Sequence, residues 1–425
     1  MIKQAVIIAG GEGKRLKDVT GNKPKILIDV GEETLLDFQI SYLKSQNISK
    51  VHFCLGIGSN DIIDSLKSLD LDYTYSIEDK PLGTYGALQN AYDYLEDEFF
   101  VLFGDIVLDY DISFGYNNFK NNNSDIHLIL RYTNHPKDSD IVEVDENKNV
   151  LSINRHQGLN YPYNPLGNTA IFFSKKTSVD PLLQSNVQDI FKDFVKNKIG
   201  ILNITSENSL NFIRDVGTKD RYFREIENYK MYKNKDTKYV FVDRDGTLIN
   251  NRGDDNNIDK FSFRDGAIKL LKTLQELNCK VILLTNQPAI AKGFSSFEDV
   301  KKLHSHLQHE LINKDLKPLD GIYLCPHHPE KGFEGEVESL KIECSCRKPK
   351  TGLVLKAISE LNIQGNKFCF IGDTVADYLL AKNLNSESFI IKSELTELDK
   401  FDEFGKTIHE DFNTLEKEIT KHLNQ

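Results

Sequence analysis

Residues Tyr239 to Val242 make an apolar, strand-forming run that ends on Asp243, with Asp245, Gly246 and Thr247 directly behind it. Carboxylates at the end of a buried strand are costly unless they meet a cation or a substrate. This one stretch therefore fixes a strand, a tight turn and a reactive edge. It also lies at mid-chain, so a complete unit is expected before it. With 425 residues there is room for two or three domains.

Charge narrows the partners. The chain carries 53 basic and 64 acidic residues, a formal net charge of -11. That balance argues against a nucleic-acid or anionic-membrane binder, so any phosphate must be captured by local positive charge. No apolar run approaches membrane-spanning length. Residues from Met1 onward enter a strand at once, without a signal-peptide pattern. A cytoplasmic location is the expectation, and six cysteines then read as thiols or metal ligands, not disulfides. Homo-oligomerisation is left open.

In the first half, residues 3–9 read as a short strand, followed by Gly10, Gly11 and Gly13 with Lys14 and Arg15. A glycine-rich turn between strand and helix lets backbone N–H groups approach phosphates. Lys23, Pro24 and Lys25 come next. Farther on are Glu78 with Pro81, Leu82, Gly83 and Thr84, then a strand over 99–103 that ends on Asp105, then Asp215 with Gly217 and Thr218. In this order the segments resemble the sugar-1-phosphate nucleotidyltransferases over residues 2–228. The resemblance implies a GT-A-like, Rossmann-like fold. It puts Gly10, Gly11, Gly13 and Lys14 at the nucleotide phosphates and Gly83 and Thr84 at base and ribose. It gives Asp105 and Asp215 to Mg²⁺, Arg15 to the leaving pyrophosphate and Lys25 to the α-phosphate. The chain departs from the family at Asp18-Val19, usually proline-leucine, and at Asn154-Arg155, usually an acidic-lysine pair. Arg155 is expected in the lysine's role, with Asn168 near the sugar. The implied reaction is attack of a sugar-1-phosphate oxygen on a nucleoside triphosphate, by positioning and charge neutralisation.

Strands near 5–9, 51–55, 99–103 and 126–131 alternate with helical patterns such as Leu35, Leu36, Ile40 and Leu43. Alternation of this kind predicts a mostly parallel sheet covered on both faces, with ligands at the carboxyl ends of its strands. Residues 1–228 are read as the first domain, 229–237 as a polar linker and 238–425 as the second domain.

In the second domain, a helix over 265–278 leads to a strand ending on Thr285 and Asn286. Gln287, Ile290 and Gly293 follow, then Arg347, Lys348 and Lys350, then a strand over 368–372 ending on Asp373, with Asp377 one helical turn on. Together with the Asp243 stretch these resemble the four motifs of haloacid dehalogenase-type phosphatases. The loop after Thr285 resembles the heptose bisphosphate and histidinol-phosphate phosphatase branch. The resemblance implies Asp243 as nucleophile and Asp245 as general acid and base. Mg²⁺ falls to Asp243, Asp245 and Asp373, and Thr285, Asn286, Arg347 and Lys348 to the substrate phosphates. No large insertion separates the first two motifs, so a capless Rossmann-like domain is expected.

Cys325, His327, Cys344 and Cys346 offer three thiolates and one imidazole, enough for a closed tetrahedral Zn²⁺ site with a structural role. His328 is the rival ligand; the same branch uses the first histidine. Cys54, Cys279 and Cys369 sit in apolar strand patterns and read as buried small hydrophobes. His304, His306 and His309 read as one solvated helix face.

The pairing of the halves carries its own information. A phosphatase that empties one end of a sugar bisphosphate yields a sugar-1-phosphate, and a nucleotidyltransferase consumes one. Within the resemblance, the two steps are 7-phosphate removal from D-glycero-D-manno-heptose 1,7-bisphosphate and nucleotidyl transfer to heptose 1-phosphate, with GTP favoured. The competing reading is a histidinol-phosphate phosphatase fused to a transferase of other specificity. With no cap to test the substrate, the zinc-pinned loop and the segment 251–263 are expected to do so, and Arg347 and Lys350 give that loop charge to hold the far phosphate.

Overall fold

The structure is a computed structural model that describes residues 2–21, 23–155, 159–180, 187–233, 237–251, 253–365 and 368–424. The chain forms two compact α/β units, one holding most of residues 1–234 and the other most of 235–425. The second also takes in Tyr132–Asn134 and Leu159–Pro165.

In the first unit, Gln4–Ile8 is the central strand of a mixed sheet. It pairs in parallel with Lys50–Leu55 on one side and with Glu98–Phe103 on the other. Ile8 lies opposite both Cys54 and Phe103. The glycine loop leaving Ile8 and the turn carrying Asp105 therefore emerge side by side, at the point where the strand order reverses. Asp72–Ile77 continues one flank in parallel. On the other, Leu166–Lys175 runs antiparallel to Glu98–Phe103 and carries the hairpin Asp140–Val144 with Val150–Arg155. A separate antiparallel ribbon pairs Ile106–Asp109 with Phe212–Asp215, and its register sets Asp215 opposite Ile106, one residue from Asp105.

The helix Lys219–Lys233 runs through the first part of the segment expected to be a linker. Its sequence is charged, yet Tyr222, Ile226, Tyr229 and Tyr232 recur at helical spacing and pack against the first core. Tyr229 meets Phe38 edge-on at 5.3 Å, and Tyr232 lies 5.4 Å from Phe212.

The second unit is built on a parallel sheet in the order Gly321–Cys325, Cys279–Asn286, Lys238–Val242, Phe368–Gly372, Glu387–Ile391, Ile408–His409. Lys238–Val242 is again the strand where the order reverses, flanked by Cys279–Asn286 and Phe368–Gly372. Asp243, Thr285 and Asp373 thus leave three adjacent strands at their carboxyl ends. The helix Ala267–Glu276 makes the first crossover and buries Ala267, Leu270, Leu271 and Leu274, the i, i+3, i+4 stripe of a core-facing helix. No helix among the described residues is long and apolar enough to cross a membrane.

The helix Phe297–Asn313 corrects one expectation. It starts at a capping box between Ser296 and Asp299. His304 and His309 are each only 7% exposed, so the histidines do not form a solvated face. The buried stripe runs through Leu303, His304, Leu307, Gln308 and Leu311. Gln308 is satisfied there by both backbone groups of Leu319.

Candidate active sites

Around Asp243, three buried carboxylates crowd one ammonium. Lys348 Nζ donates to Asp243 Oδ1 at 2.5 Å, to Asp377 Oδ1 at 2.7 Å and to the Leu284 carbonyl at 3.1 Å, which uses all three of its donors. Oxygens of Asp243, Asp373 and Asp377 lie within 4.8 Å of one another. Burial pushes the Asp243 carboxyl up; Lys348 pulls it down, and Asp377, Asp373 and Asp245 push it up again. Burial, then Asp377, raise Asp373 to about 7. Burial works against the Lys348 ammonium, yet Asp243 and Asp377 outweigh it and hold its pKa above that of an ordinary lysine. One ammonium cannot neutralise three carboxylates, so the residues present fit a divalent cation with oxygen ligands. The cluster's third member is Asp377; Asp245, expected among the ligands, lies outside it.

Two glycines make this crowding possible. Gly246 adopts φ 75, and a Cβ there would sit 2.1 Å from Asp373 Oδ2. A Cβ on Gly372 would fall 2.3 Å from the Asp377 Cβ. Asp373 is further held by Ser393 Oγ at 2.5 Å and Thr247 Oγ1 at 3.2 Å.

The neighbouring strand end supplies the polar rim. Gln287 Nε2 donates to Thr285 Oγ1 at 2.7 Å and to Asp245 Oδ2 at 2.9 Å. Asn286, expected at the substrate, places both ends of its amide on the Lys348 backbone, at 3.0 and 3.2 Å. It therefore brackets the lysine. Arg347 reaches the His327 carbonyl at 3.4 Å, while Lys350 faces Glu343 on the surface at 3.6 Å. Arg244 and Asn256 carry no signal of their own in the sequence, and Gln287 is read there only as part of the loop after Thr285. Arg244 stands between two aspartates and, at 1% exposure, is among the most deeply buried large side chains.

The four residues Cys325, His327, Cys344 and Cys346 converge as the spacing suggests. Their sulfurs are 3.1 to 3.5 Å apart, and His327 Nδ1 lies 3.2 Å from Cys346 Sγ and 3.7 Å from Cys325 Sγ. The three cysteines are free thiols. A tetrahedral zinc with sulfur at about 2.3 Å needs ligand separations of roughly 3.8 Å, so the quartet would have to open by a few tenths of an ångström to take it. His328 has its backbone N–H on the Leu340 carbonyl and lies outside the cluster. The Arg347 N–H donates to Cys344 Sγ at 3.3 Å, tying the quartet to the residue before Lys348. Cys54 and Cys279 are buried thiols pushed up to about 12.

In the first unit, Asp105, Asp215 and Lys25 converge on Gly217. A Cβ at Gly217 would lie 3.2 Å from Asp105 Oδ2, 3.2 Å from Asp215 Oδ1 and 3.7 Å from Lys25 Nζ. Lys25 Nζ is itself 3.2 Å from Asp105 Oδ2. Gly13 turns the glycine loop with φ 65, close enough that a Cβ would touch Lys25 Cγ at 2.9 Å. Gly10 sits equally close to Glu78 Oε1, whose other oxygen accepts from the Leu82 N–H at 2.9 Å. Gly11 and Arg15 are exposed, and Lys14 pairs with Glu12 at the surface.

Other residues expected there have partners in the fold. Asp215 is held by Arg221 at 2.8 and 3.1 Å, a contact without a sequence signal. Thr84 Oγ1 accepts from the Ile190 N–H at 2.9 Å, beside Gly83 at φ 77. Arg155 is taken up by the Asp138 carbonyl at 2.7 Å and Asp140 at 2.9 Å. Asn168 Oδ1 accepts from the N–H of Ala170, which adopts φ 63 where the family resemblance has glycine.

Comparison with known proteins divides the chain in the same way. The nucleotidyl transferase family matches residues 4–230 and the haloacid dehalogenase-like hydrolase family residues 221–385. The D-glycero-beta-D-manno-heptose-1,7-bisphosphate 7-phosphatase of Pasteurella multocida is 40% identical over 154 residues, 36% of this chain and 80% of that protein. The protein of the same name from Haemophilus influenzae is 42% identical over 140 residues, 33% of this chain and 73% of that protein. A crystal structure of HddC from Yersinia pseudotuberculosis aligns at 26% identity and a TM-score of 0.46, over 54% of this chain and 100% of that one.

Proposed function

We propose that this chain, which belongs to the nucleotidyl transferase family and to the haloacid dehalogenase-like hydrolases, removes the 7-phosphate of D-glycero-D-manno-heptose 1,7-bisphosphate and then activates the heptose 1-phosphate with a nucleotide. The observation that carries the reading is the meeting of Asp243, Lys348, Asp373 and Asp377 at adjacent strand ends, in a half similar to curated heptose bisphosphate phosphatases. GTP is the favoured nucleotide, because the first half resembles guanylyltransferases more than other transferases of its kind.

In the phosphatase reaction an Asp243 oxygen bonds to phosphorus as the P–O bond to the sugar breaks. Asp245 gives its proton to the departing oxygen, and the aspartyl-phosphate is then hydrolysed with Asp245 as base. Lys348 and Thr285 hold the phosphoryl charge. Mg²⁺ held by Asp243 and Asp373 would add Lewis-acid charge neutralisation. In the transfer reaction Asp105 and Asp215 would hold a second Mg²⁺, while Lys25 and Arg15 meet the triphosphate. Zn²⁺ in the cysteine-histidine quartet is structural: a closed four-ligand set has no open position.

Arg347 and Lys350, on the loop beside the cysteine-histidine quartet, are the cations proposed to hold the far phosphate. A site built for two phosphates leaves a buried-edge cation unpaired when one is missing. Heptose 7-phosphate and histidinol phosphate are therefore expected to be hydrolysed roughly 10- to 100-fold less efficiently than the bisphosphate. Steady-state kcat/KM for the three substrates checks this. Histidinol phosphate as the best of them would overturn the heptose assignment.

A further inference from the structure

We propose that Gln39 is a positioning residue of the nucleotidyl transfer reaction: its side-chain amide pins the turn that carries Asp105 and so presets that carboxylate for Mg²⁺. The inference rests on the transferase reading and gives a role to a buried side chain which that reading does not use.

Gln39 lies on the helix Leu35–Ser45 among Leu35, Leu36, Ile40 and Leu43, all of them buried. It is itself 0% exposed. A polar side chain in such a place is costly unless its groups are paired. Gln39 Nε2 donates to the Phe103 carbonyl at 3.0 Å and to the Ile106 carbonyl at 2.9 Å. These bonds use both amide hydrogens, and they close on either side of Gly104 and Asp105. Gln39 Oε1 is buried and has no hydrogen-bond partner among the described residues. Turning the amide over would set that oxygen against two carbonyl oxygens, so one orientation is fixed. Every hydrogen bond of the side chain is therefore directed at the turn.

Two further bonds complete the frame. The Gly104 N–H donates to the Ile8 carbonyl at 2.9 Å, on the strand from which the glycine loop leaves. The Val216 N–H, one residue beyond Asp215, donates to the Asp105 carbonyl at 2.8 Å. The turn is also packed closely against that strand, since a Cβ on Gly104 would lie 3.1 Å from the Ala9 Cβ. An aspartate has only two side-chain torsions, so its carboxylate follows its backbone. Asp105 Oδ2 and Asp215 Oδ1 each lie 3.2 Å from the point that a Cβ on Gly217 would occupy. Two carboxylate oxygens facing one small gap fit a hard divalent cation. Without the amide, the Phe103 and Ile106 carbonyls lose a donor in the core. The turn then shifts to find another and carries Asp105 Oδ2 away from the gap.

The test measures binding of a fluorescent GTP analogue, mant-GTP, to the full chain in EDTA and in Mg²⁺. Wild type, Gln39→Met and Leu43→Ala are compared. Methionine keeps the length of glutamine but offers no donor. In wild type, Mg²⁺ should tighten binding. Gln39→Met should bind within about twofold of wild type in EDTA and roughly 10-fold more weakly in Mg²⁺. The Mg²⁺ concentration that half-saturates pyrophosphate release should rise by about the same factor. Leu43→Ala removes apolar contacts from the same helix and no hydrogen bond, so its melting temperature should fall while its gain from Mg²⁺ stays. An undiminished gain in Gln39→Met, an equal loss with and without Mg²⁺, or the same lost gain in Leu43→Ala overturns the proposal. If Gln39→Met does not fold, Gln39→Asn, one methylene too short to reach both carbonyls, is read the same way. Asp105→Asn is the control: if it too keeps the wild-type gain from Mg²⁺, the transferase reading itself fails, not merely the brace.

Discussion

Asp243→Asn is expected to lower phosphate release from the heptose bisphosphate on the order of 10⁴-fold while nucleotidyl transfer from supplied heptose 1-phosphate continues at the wild-type rate. The amide keeps the shape of the carboxylate and can still accept from Lys348 at the strand end, but it cannot form the phosphoenzyme. The converse holds for Asp105→Asn. That residue faces Lys25 and the Gly217 turn in the first unit, and its loss should remove transfer while phosphate release persists. Two assays on one sample, inorganic phosphate and pyrophosphate, read both. A folded Asp243→Asn variant that loses both activities would sink the assignment of one reaction to each half.

Zinc has the second large effect. Purified protein should hold about one zinc per chain, bound tightly enough to survive dialysis. Cys346→Ser removes a ligand that touches Cys325, Cys344 and His327. Free energy of metal binding is folding free energy for the loop that it closes, so the second unit should lose several kcal/mol, about 3 or more. Phosphatase activity should fall with it, because Arg347 donates its backbone N–H to Cys344 and leads directly into Lys348. Metal content, a thermal melt and the phosphate assay together decide this. A zinc-free Cys346→Ser protein with normal melting and full activity would refute a structural metal.

The strand ends were legible in the sequence because each is an apolar run stopped by a polar residue. Asp105, Asp243, Thr285 and Asp373 all carry that signature, and parallel pairing brings neighbouring ends together. The cysteine-histidine quartet was legible because its residues have few other uses at such spacing. Partners that lie across the fold were not. Arg221 meets Asp215 across one turn of chain with nothing in the local pattern to announce it. Asn286 reads as a phosphate ligand by position but spends its amide on the Lys348 backbone. The histidines of Phe297–Asn313 read as polar and hence solvated; His304 is buried because a buried arginine needs an acceptor. The helix Lys219–Lys233 runs on through 229–233 of the segment read as linker, because the apolar stripe that holds it to the core consists largely of tyrosines.

The claim that the two halves perform consecutive steps is tested most directly by following the bisphosphate itself with ³¹P NMR. In the presence of Mg²⁺ the 7-phosphate signal should give way to inorganic phosphate while the 1-phosphate signal stays. On adding GTP, the 1-phosphate signal should convert into a nucleotide-linked diphosphate and free pyrophosphate. Loss of the 1-phosphate first, or a heptose 1-phosphate that no nucleoside triphosphate converts, would contradict it.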